Sequence, residues 1–281
     1  MKITYLLDNN SIEIDIPDET RFSAGKPELL SEKYSDLSLG SNWYEQGYST
    51  PSYTSRIDFS TLVKEVTDVV RDRLRDLFPN REFDNFELSK YHKFVTAEEH
   101  RDVADKVMKR LYCDDLTNAS EAFVQLISEQ LEHPVGFKRI DNDFEHWIIV
   151  RINPPYSLAY NPIHKDIYED FDETGICPRM INAWVPLAGV NENAGLGIAP
   201  ESHRICESKI LRTRAGSSIN GRKFSVNSIQ SWDNSVSLNT IAPLPGEMLI
   251  FSSHLIHGLG INTNQDTTRV ALEFRLHSQK Q

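Results

Sequence analysis

The chain has little cysteine, no long apolar run and no excess of positive charge. Its 281 residues include three scattered cysteines, Cys113, Cys177 and Cys206, and this odd number argues against a disulfide framework and favours a reducing compartment. No stretch is apolar enough to span a bilayer, and residues 1–8 lack the apolar segment of a signal peptide. A formal net charge of -11 argues against nucleic acid or an anionic membrane as the main partner. We therefore expect a cytoplasmic protein whose partner is a small molecule.

The order of the sequence patterns predicts helices first and strands later. Apolar residues recur at helical spacing over residues 58–77 and 118–131. A further helix is expected from Thr96 to about residue 112, because Thr96 and Glu99 have the spacing of a capping box. From Val135 onward, short strand patterns alternate with turns, and there is no repeat or low-complexity tract. A chain of this length can bury one sizeable core.

Helices before strands, without a βαβ alternation, indicate an α+β protein whose β part closes on itself. We expect a double-stranded β-helix, the jelly-roll architecture also found in cupins, which brings residues from distant strands to one barrel mouth. The prediction is a single domain over residues 1–281. Residues 1–134 would be mainly helical, and residues 135–281 would form the β core, with the helices packed on the outer face of its larger sheet.

The triplet His164-Lys165-Asp166, with the distant His257, is a candidate metal site. Residues i and i+2 of a strand share a face, so His164 and Asp166 can contact one ion while Lys165 points away. His257 follows an apolar strand pattern that starts after a Pro-Gly turn at residues 245–246. Two imidazoles and one carboxylate, with open coordination positions, are the donor set of non-haem Fe(II) sites. An isolated His-x-Asp triplet is more often a surface pair, so further motifs are needed.

Several ordered motifs accompany the triplet. They are Ala-Trp-Val-Pro-Leu at 183–187, Asn-Ala-Gly-Leu-Gly-Ile-Ala-Pro-Glu-Ser-His-Arg at 193–204, Gly-Glu-Met-Leu-Ile-Phe at 246–251, and His-Gly-Leu-Gly-Ile-Asn at 257–262 leading to Arg269. Over roughly its C-terminal half the chain resembles the phytanoyl-CoA dioxygenase-like family of Fe(II)/2-oxoglutarate oxygenases. The resemblance implies that His164, Asp166 and His257 bind Fe(II) and that Arg269 anchors the distal carboxylate of 2-oxoglutarate.

The resemblance also implies the reaction. A dioxygenase of this kind uses Fe(II), 2-oxoglutarate and O2, releases succinate and CO2, and hydroxylates an unactivated C–H bond. The carboxylate of Asp166 favours hydroxylation, because related halogenases carry a small residue there; desaturation and ring formation remain open. We expect the substrate to be a small polar or anionic metabolite. Two other classes also remain open, a cupin-like metalloenzyme that does not use 2-oxoglutarate and a non-catalytic jelly-roll binding module.

The role of Arg269 also has a physical basis, since a guanidinium fork binds a carboxylate bidentately. Residues 269–276 alternate between polar or small and apolar side chains, which predicts a strand. Arg269, Glu273 and Arg275 would face the cavity with Ala271. We expect Glu273 to pair with Arg275, which leaves Arg269 for the co-substrate, and Arg275 is the second candidate. The residues predicted to pack outward against helices are Val270, Leu272, Phe274 and Leu276.

Four further residues are candidates for the site. The resemblance places Trp184 near the co-substrate, although a tryptophan there also suits the core. Tyr160, just before the metal motif, could donate a hydrogen bond into the site or pack at the barrel rim. Arg151 and Asn153, on a strand predicted over residues 146–153, could turn inward to contact co-substrate and substrate, or form a salt bridge at the rim.

The stretch 201–237 concentrates positive charge in an acidic chain. Its basic residues are His203, Arg204, Lys209, Arg212, Arg214, Arg222 and Lys223. Long loops within compact domains are often functional, and the glycines of this stretch would let it move. We therefore predict a mobile lid over the iron site, with Arg212 and Arg214 meeting an anionic or strongly polar substrate. The alternative is a solvated loop whose charge offsets the acidic remainder.

Overall fold

The computed structural model describes residues 1–26, 36–106, 111, 113–140, 148–157, 161–168, 177–214 and 216–280. The helices in these ranges are α1 (Phe59–Leu77), α2 (Ala97–Lys106) and α3 (Thr117–Leu131). The strands are β1 (Lys2–Leu7), β2 (Asn10–Asp15), β3 (Ser23–Ala24), β4 (Tyr48–Ser49), β5 (Val135–Gly136), β6 (Ile149–Asn153), β7 (Met180–Ala188), β8 (Leu196–Ile198), β9 (Ile210–Arg212), β10 (Ser217–Ile219), β11 (Arg222–Phe224), β12 (Ile229–Trp232), β13 (Ser237–Ile241), β14 (Leu249–Ser252), β15 (His257–Gly258) and β16 (Arg269–Ser278). This part of the chain is a mixed α and β protein in which strands outnumber helices.

The helices begin where their capping residues predict. Asp58 caps α1, because its carboxylate accepts a hydrogen bond from the Thr61 backbone N–H at 2.8 Å. Before α2, the Thr96 N–H donates to Glu99 Oε2 at 2.9 Å and the Glu99 N–H donates to Thr96 Oγ1 at 3.3 Å, which confirms the capping box. Beyond Lys106, the predicted course of α2 falls largely outside the described residues. No helix within the described ranges has the length and apolar character needed to cross a membrane.

The largest sheet has the order β4-β14-β7-β16, with β5 and β6 both paired to the far edge of β16. One face packs against the helices in the main apolar core. Val270, Leu272, Phe274 and Leu276 of β16 all belong to that core, so the predicted outward face of this strand is confirmed. The alternate residues of β16 are thereby turned toward the other side of the sheet.

A second sheet has the order β15-β8-β13-β1-β2. Residues near the N-terminus contribute β1 and β2 to this sheet, and β2 overlaps the alternating Ile12, Ile14 and Ile16, a pattern typical of a short strand. The physical reason is their alternation, which buries Ile3, Tyr5 and Ile14 in the second apolar core. The N-terminal strands therefore complete the β structure that carries the site.

The stretch 201–237 is not the long loop that its polarity suggested. It contains β9 to β12, of which β9 pairs with both β12 and β3, while β10 and β11 form a hairpin. Strand β9 buries Ile210 and Arg212 and exposes Leu211, an alternation that fits pairing within a sheet. The expectation of a long irregular segment was therefore wrong for most of this stretch.

Candidate active site

His164, Asp166 and His257 come together in the folded chain. Each offers a ligand atom, these atoms all lie within 4.8 Å of one another, and the three residues are buried. Asp166 Oδ1 lies 3.4 Å from His164 Nε2, and Asp166 Oδ2 lies 3.5 Å from His257 Nε2. Two backbone hydrogen bonds between His164 and His257, of 2.9 and 3.0 Å, join these distant segments. The backbone therefore holds both imidazoles beside one carboxylate.

Hydrogen bonds to backbone carbonyls orient the two imidazoles. His164 Nδ1 lies 2.7 Å from the carbonyl oxygen of Pro162, and His257 Nδ1 lies 3.0 Å from that of Leu255. A carbonyl only accepts, so each Nδ1 donates, and Nε2 is the nitrogen of each ring that is left to bind a metal. Burial, and next to it His164, lowers the pKa of His257 to about 4. Two imidazoles beside one carboxylate are a donor set that fits Fe(II).

The pairing of charges around the triad differs from the prediction in one respect. Arg275 Nη2 donates to Asp166 Oδ1 at 2.5 Å, whereas Glu273 pairs with Arg151 at 2.7 and 2.8 Å. The expected pair of Glu273 with Arg275 was therefore wrong. Arg151 stands opposite Ala271 on the neighbouring strand, and this small residue leaves the long side chain room to reach Glu273 diagonally.

The pKa of Asp166 reflects these neighbours. Burial opposes its ionisation, but Arg275, His257 and His164 outweigh burial and hold the pKa of this carboxyl well below its ordinary value. Asp166 is therefore a carboxylate throughout the neutral range, as a metal ligand must be.

The triplet itself is not a regular strand. His164 forms an isolated bridge with His257, and the chain turns at Asp166. Lys165 nevertheless points away from the triad, as predicted, because its ammonium pairs with buried Glu207 at 2.9 Å. The Tyr168 hydroxyl donates to the same carboxylate at 2.8 Å. This buried network holds the turn between His164 and Asp166.

Arg269 is buried on β16 and has no carboxylate within ion-pair distance among the described residues. Its Nη1 donates to the Gly195 carbonyl at 2.8 Å and its Nη2 donates to Asn153 Oδ1 at 2.6 Å. The guanidinium carbon lies 5.6 Å from the Trp184 ring centroid, and Nε has no hydrogen-bond partner in the described part of the chain. Burial lowers the pKa of Arg269 to about 10. A buried guanidinium with spare donors is suited to bind the carboxylate of a small ligand.

A cavity of about 1030 Å³ contains the triad. Trp184, Arg151 and Arg275 line it, whereas Arg269 and Asn153 do not. Asn153 instead accepts a hydrogen bond from Arg269, so it helps to orient that guanidinium. Trp184 both lines the cavity and packs in an apolar cluster with Leu249 and Phe251. Tyr160 lies outside the described residues.

Comparison with known proteins agrees with this geometry. Residues 59–271 match the family model described as phytanoyl-CoA dioxygenase (PhyH). The chain belongs to this family. The match begins at α1, so the family likeness extends further toward the N-terminus than the sequence motifs did. No curated protein sequence matches the chain.

Solved structures resemble this member of the phytanoyl-CoA dioxygenase family. EctD from S. alaskensis, with 2-oxoglutarate and 5-hydroxyectoine, has a TM-score of 0.50 and 14% identity, and the alignment covers 94% of this chain and 86% of EctD. EvdO2 from Micromonospora carbonacea var. aurantiaca, complexed with 2-oxoglutarate, has a TM-score of 0.48 and 15% identity, covering 92% of this chain and 93% of EvdO2. The EctD likeness supports a shared fold.

Two arginines expected at the substrate lie elsewhere in this PhyH-family fold. Arg212 is buried with its guanidinium 3.7 Å from the Tyr168 ring centroid. Arg214 donates to Ser23 Oγ at 3.1 Å and to the Ala24 carbonyl at 2.7 Å. Neither lines the cavity. Their expected placement was wrong because β9 pairs with β3 and β12, which turns Arg212 into the core.

Sequence reasoning missed Asn182 on β7. It is 2% exposed, lines the cavity, and neither atom of its amide has a hydrogen-bond partner among the described residues. Its register places it opposite Phe251 and Arg275. A buried, unpaired amide is costly unless a ligand or water completes it. One sequence feature pointed to it, a polar residue two positions before Trp184 in an otherwise apolar strand.

Removing one partner of the buried Lys165–Glu207 pair is expected to destabilise the fold. Both side chains are almost inaccessible, at 1% and 6% exposure, so Lys165→Met would leave the buried Glu207 carboxylate without its ammonium partner. Such losses typically cost about 3–5 kcal/mol of unfolding free energy. Urea denaturation of Lys165→Met measures this. The double variant Lys165→Met/Glu207→Gln should recover part of the loss, and an unchanged midpoint in the single variant would contradict a structural role for the pair.

Proposed function

We propose that the chain is an Fe(II)- and 2-oxoglutarate-dependent dioxygenase. It hydroxylates an unactivated C–H bond of a small polar or anionic metabolite and releases succinate and CO2. The observation that carries the proposal is the buried group of His164, Asp166 and His257, with both Nε2 atoms directed at one carboxylate. Membership of the phytanoyl-CoA dioxygenase family supports the same chemistry.

We further propose that the strands form a double-stranded β-helix within a single domain. The family match and the EctD likeness support this architecture. The pairing of β15 with β8 and of His257 with His164 supports it as well, because it joins segments far apart in sequence at the metal site. The helical core on the outer face of the large sheet leaves the opposite face for the cavity.

In the proposed enzyme, His164, Asp166 and His257 hold the iron, and Arg269 binds the distal carboxylate of 2-oxoglutarate. Bound iron with 2-oxoglutarate and O2 supplies the oxidising power that cleavage of an unactivated C–H bond requires. The protein positions the co-substrate and provides the positive charge that binds its carboxylate. Asn153 and the Gly195 carbonyl orient the Arg269 guanidinium. Gly260 gives it room, since a Cβ there would lie 2.9 Å from Arg269 Nη2.

The remaining polar groups of the cavity have supporting roles in this proposal. Arg151 is held by Glu273 on the cavity wall, where its guanidinium can donate a further hydrogen bond to an anionic co-substrate. Trp184 covers the guanidinium of Arg269 and keeps water from it. Asp166 occupies the carboxylate position of the triad, which supports hydroxylation over halogenation.

Succinate release tests the proposal. The apo-protein is titrated anaerobically with Fe(II), and O2 with 2-oxoglutarate is then added while succinate and residual 2-oxoglutarate are measured against a panel of small polar and anionic metabolites. We expect Fe(II)-dependent succinate that matches the 2-oxoglutarate consumed and rises with the true substrate. Iron binding without 2-oxoglutarate consumption would instead indicate a cupin-like metalloenzyme. Failure to bind iron would indicate a binding module.

A further inference from the structure

We propose that Arg101, Arg222 and Lys223 form an anion site at the cavity, which binds an acidic group of the prime substrate. The ligand chemistry is that of a carboxylate, sulfate or phosphate group carried by a molecule whose reacting C–H bond reaches the triad. The inference rests on the proposed function, because it names the substrate class of that cavity. It moves substrate recognition from Arg212 and Arg214 to a different part of the same stretch.

One wall of the anion site is the hairpin of β10 and β11. Its turn, Asn220-Gly221, has positive φ angles of 46° and 74°, which is the backbone of a type I′ hairpin turn. The turn is pinned to β2, because the Asn220 N–H donates to the Asp15 carbonyl at 2.8 Å and the Asp15 N–H donates to Asn220 Oδ1 at 2.9 Å. Buried Ile219 fixes the hairpin further. Arg222 and Lys223 follow this anchored turn directly.

The facing wall of the anion site is α2. Helix α2 lines the same cavity as the hairpin. The helix contributes Arg101, with His100 and two alanines, and the hairpin contributes Arg222 and Lys223, with its turn. His100 is held by the Tyr91 hydroxyl, 3.0 Å from its Nδ1. Burial, and after it the charge of Arg222, lowers the pKa of His100 to about 4, which agrees with the hairpin approaching the helix. Cations from two separate elements therefore converge on one space.

The charges of the anion site lack partners in the part of the chain that the structure describes. Among those residues, neither Arg101 nor Arg222 nor Lys223 forms a salt bridge or a side-chain hydrogen bond, although Arg222 lies 5.5 Å from the Phe224 ring centroid. Several cations elsewhere in this acidic chain have carboxylate partners, among them Lys64 with Asp68, Lys209 with Asp233 and Arg204 with Glu45. Three such cations at a cavity, in a chain of net charge -11, favour an anionic ligand.

The rest of the cavity supports the same class of ligand. Five arginine or lysine residues line it against two carboxylates, Asp166 and Glu273. Those carboxylates are occupied by Arg275 and Arg151, so they do not neutralise the cations of the anion site. The volume of about 1030 Å³ lies at the upper end of small-molecule sites. It can hold a co-substrate at the triad and a substrate that extends to the anion site.

Anion binding to the metal-loaded protein tests the assignment. The protein is loaded with Mn(II) and 2-oxoglutarate, and inorganic phosphate, sulfate and acetate are titrated separately by calorimetry at low ionic strength. Arg222→Gln/Lys223→Gln is compared with Lys64→Gln/Lys209→Gln, which removes the same charge from exposed positions outside the cavity. We expect the cavity variant to bind the preferred anion about tenfold more weakly, because two charge-assisted contacts are lost. The control should bind it like the wild type.

Equal affinity in wild type and the cavity variant, or no anion binding by the wild type, would overturn the anion site. Arg101→Gln, on a different element, keeps the test decisive if the hairpin variant does not fold, and it too should weaken binding. Whichever of phosphate, sulfate and acetate binds most tightly indicates the kind of acidic group that the substrate carries. Affinity for 2-oxoglutarate, measured with the same proteins, separates the two proposals. We expect the cavity variant to bind 2-oxoglutarate like the wild type. If the wild type does not bind 2-oxoglutarate, the proposed function is wrong, whereas the anion site is judged by anion binding.

Discussion

Replacing His164, Asp166 or His257 by alanine is expected to abolish Fe(II)-dependent turnover while leaving a folded protein. In the proposed iron site each residue would supply one of three protein ligands, so its loss would remove a third of the donor set. Asp166→Ala also leaves Arg275 without the carboxylate it contacts. Succinate formation measures turnover, and circular dichroism checks the fold.

A matched control for the triad variants is His133→Ala, which removes a histidine whose Nε2 contacts Ser278 Oγ at 2.8 Å, outside the cavity. This variant should form succinate like the wild type. Near-wild-type succinate in any one triad variant would remove that residue from the ligand set.

Arg269→Ala is expected to raise the Michaelis constant for 2-oxoglutarate by about an order of magnitude or more. Each hydrogen bond to a charged group contributes roughly 1.5–3 kcal/mol, and a bidentate contact loses two of them. Because Arg269 lies outside the triad, Fe(II) affinity should change little. Steady-state kinetics with 2-oxoglutarate as the varied substrate, together with an anaerobic Fe(II) titration, separates these effects.

Two comparison variants sharpen the test of Arg269. Arg269→Lys keeps the charge but loses the planar fork, so it should recover only part of the affinity. Arg275→Ala tests the alternative anchor. An unchanged constant in Arg269→Ala, with a large rise in Arg275→Ala, would transfer the anchoring role to Arg275, although the contact of Arg275 with Asp166 makes loss of turnover its expected effect.

Local features of the sequence predicted much of this fold and the centre of its site. The capping residues Asp58 and Thr96 marked helix starts, because a cap acts on the backbone groups three residues away. The alternation along β16 separated outward apolar residues from inward polar ones, since side chains of a strand alternate. The triplet, His257 and the accompanying motifs predicted the phytanoyl-CoA dioxygenase family, which the match over residues 59–271 confirms. They also predicted the metal site, and the fold brings its three residues together.

Tertiary structure alone decided which charges meet. Arg212 and Arg222 belong to one basic stretch, yet β9 carries Arg212 into the core and the hairpin carries Arg222 to the cavity. Arg275 contacts Asp166 rather than Glu273 because Arg151 arrives on the neighbouring strand. Caps, alternation and motif spacing depend on residues a few positions apart and can be read along the chain. The partner of a charge depends on which distant strands pair, and in which register, so it exists only once the chain has folded.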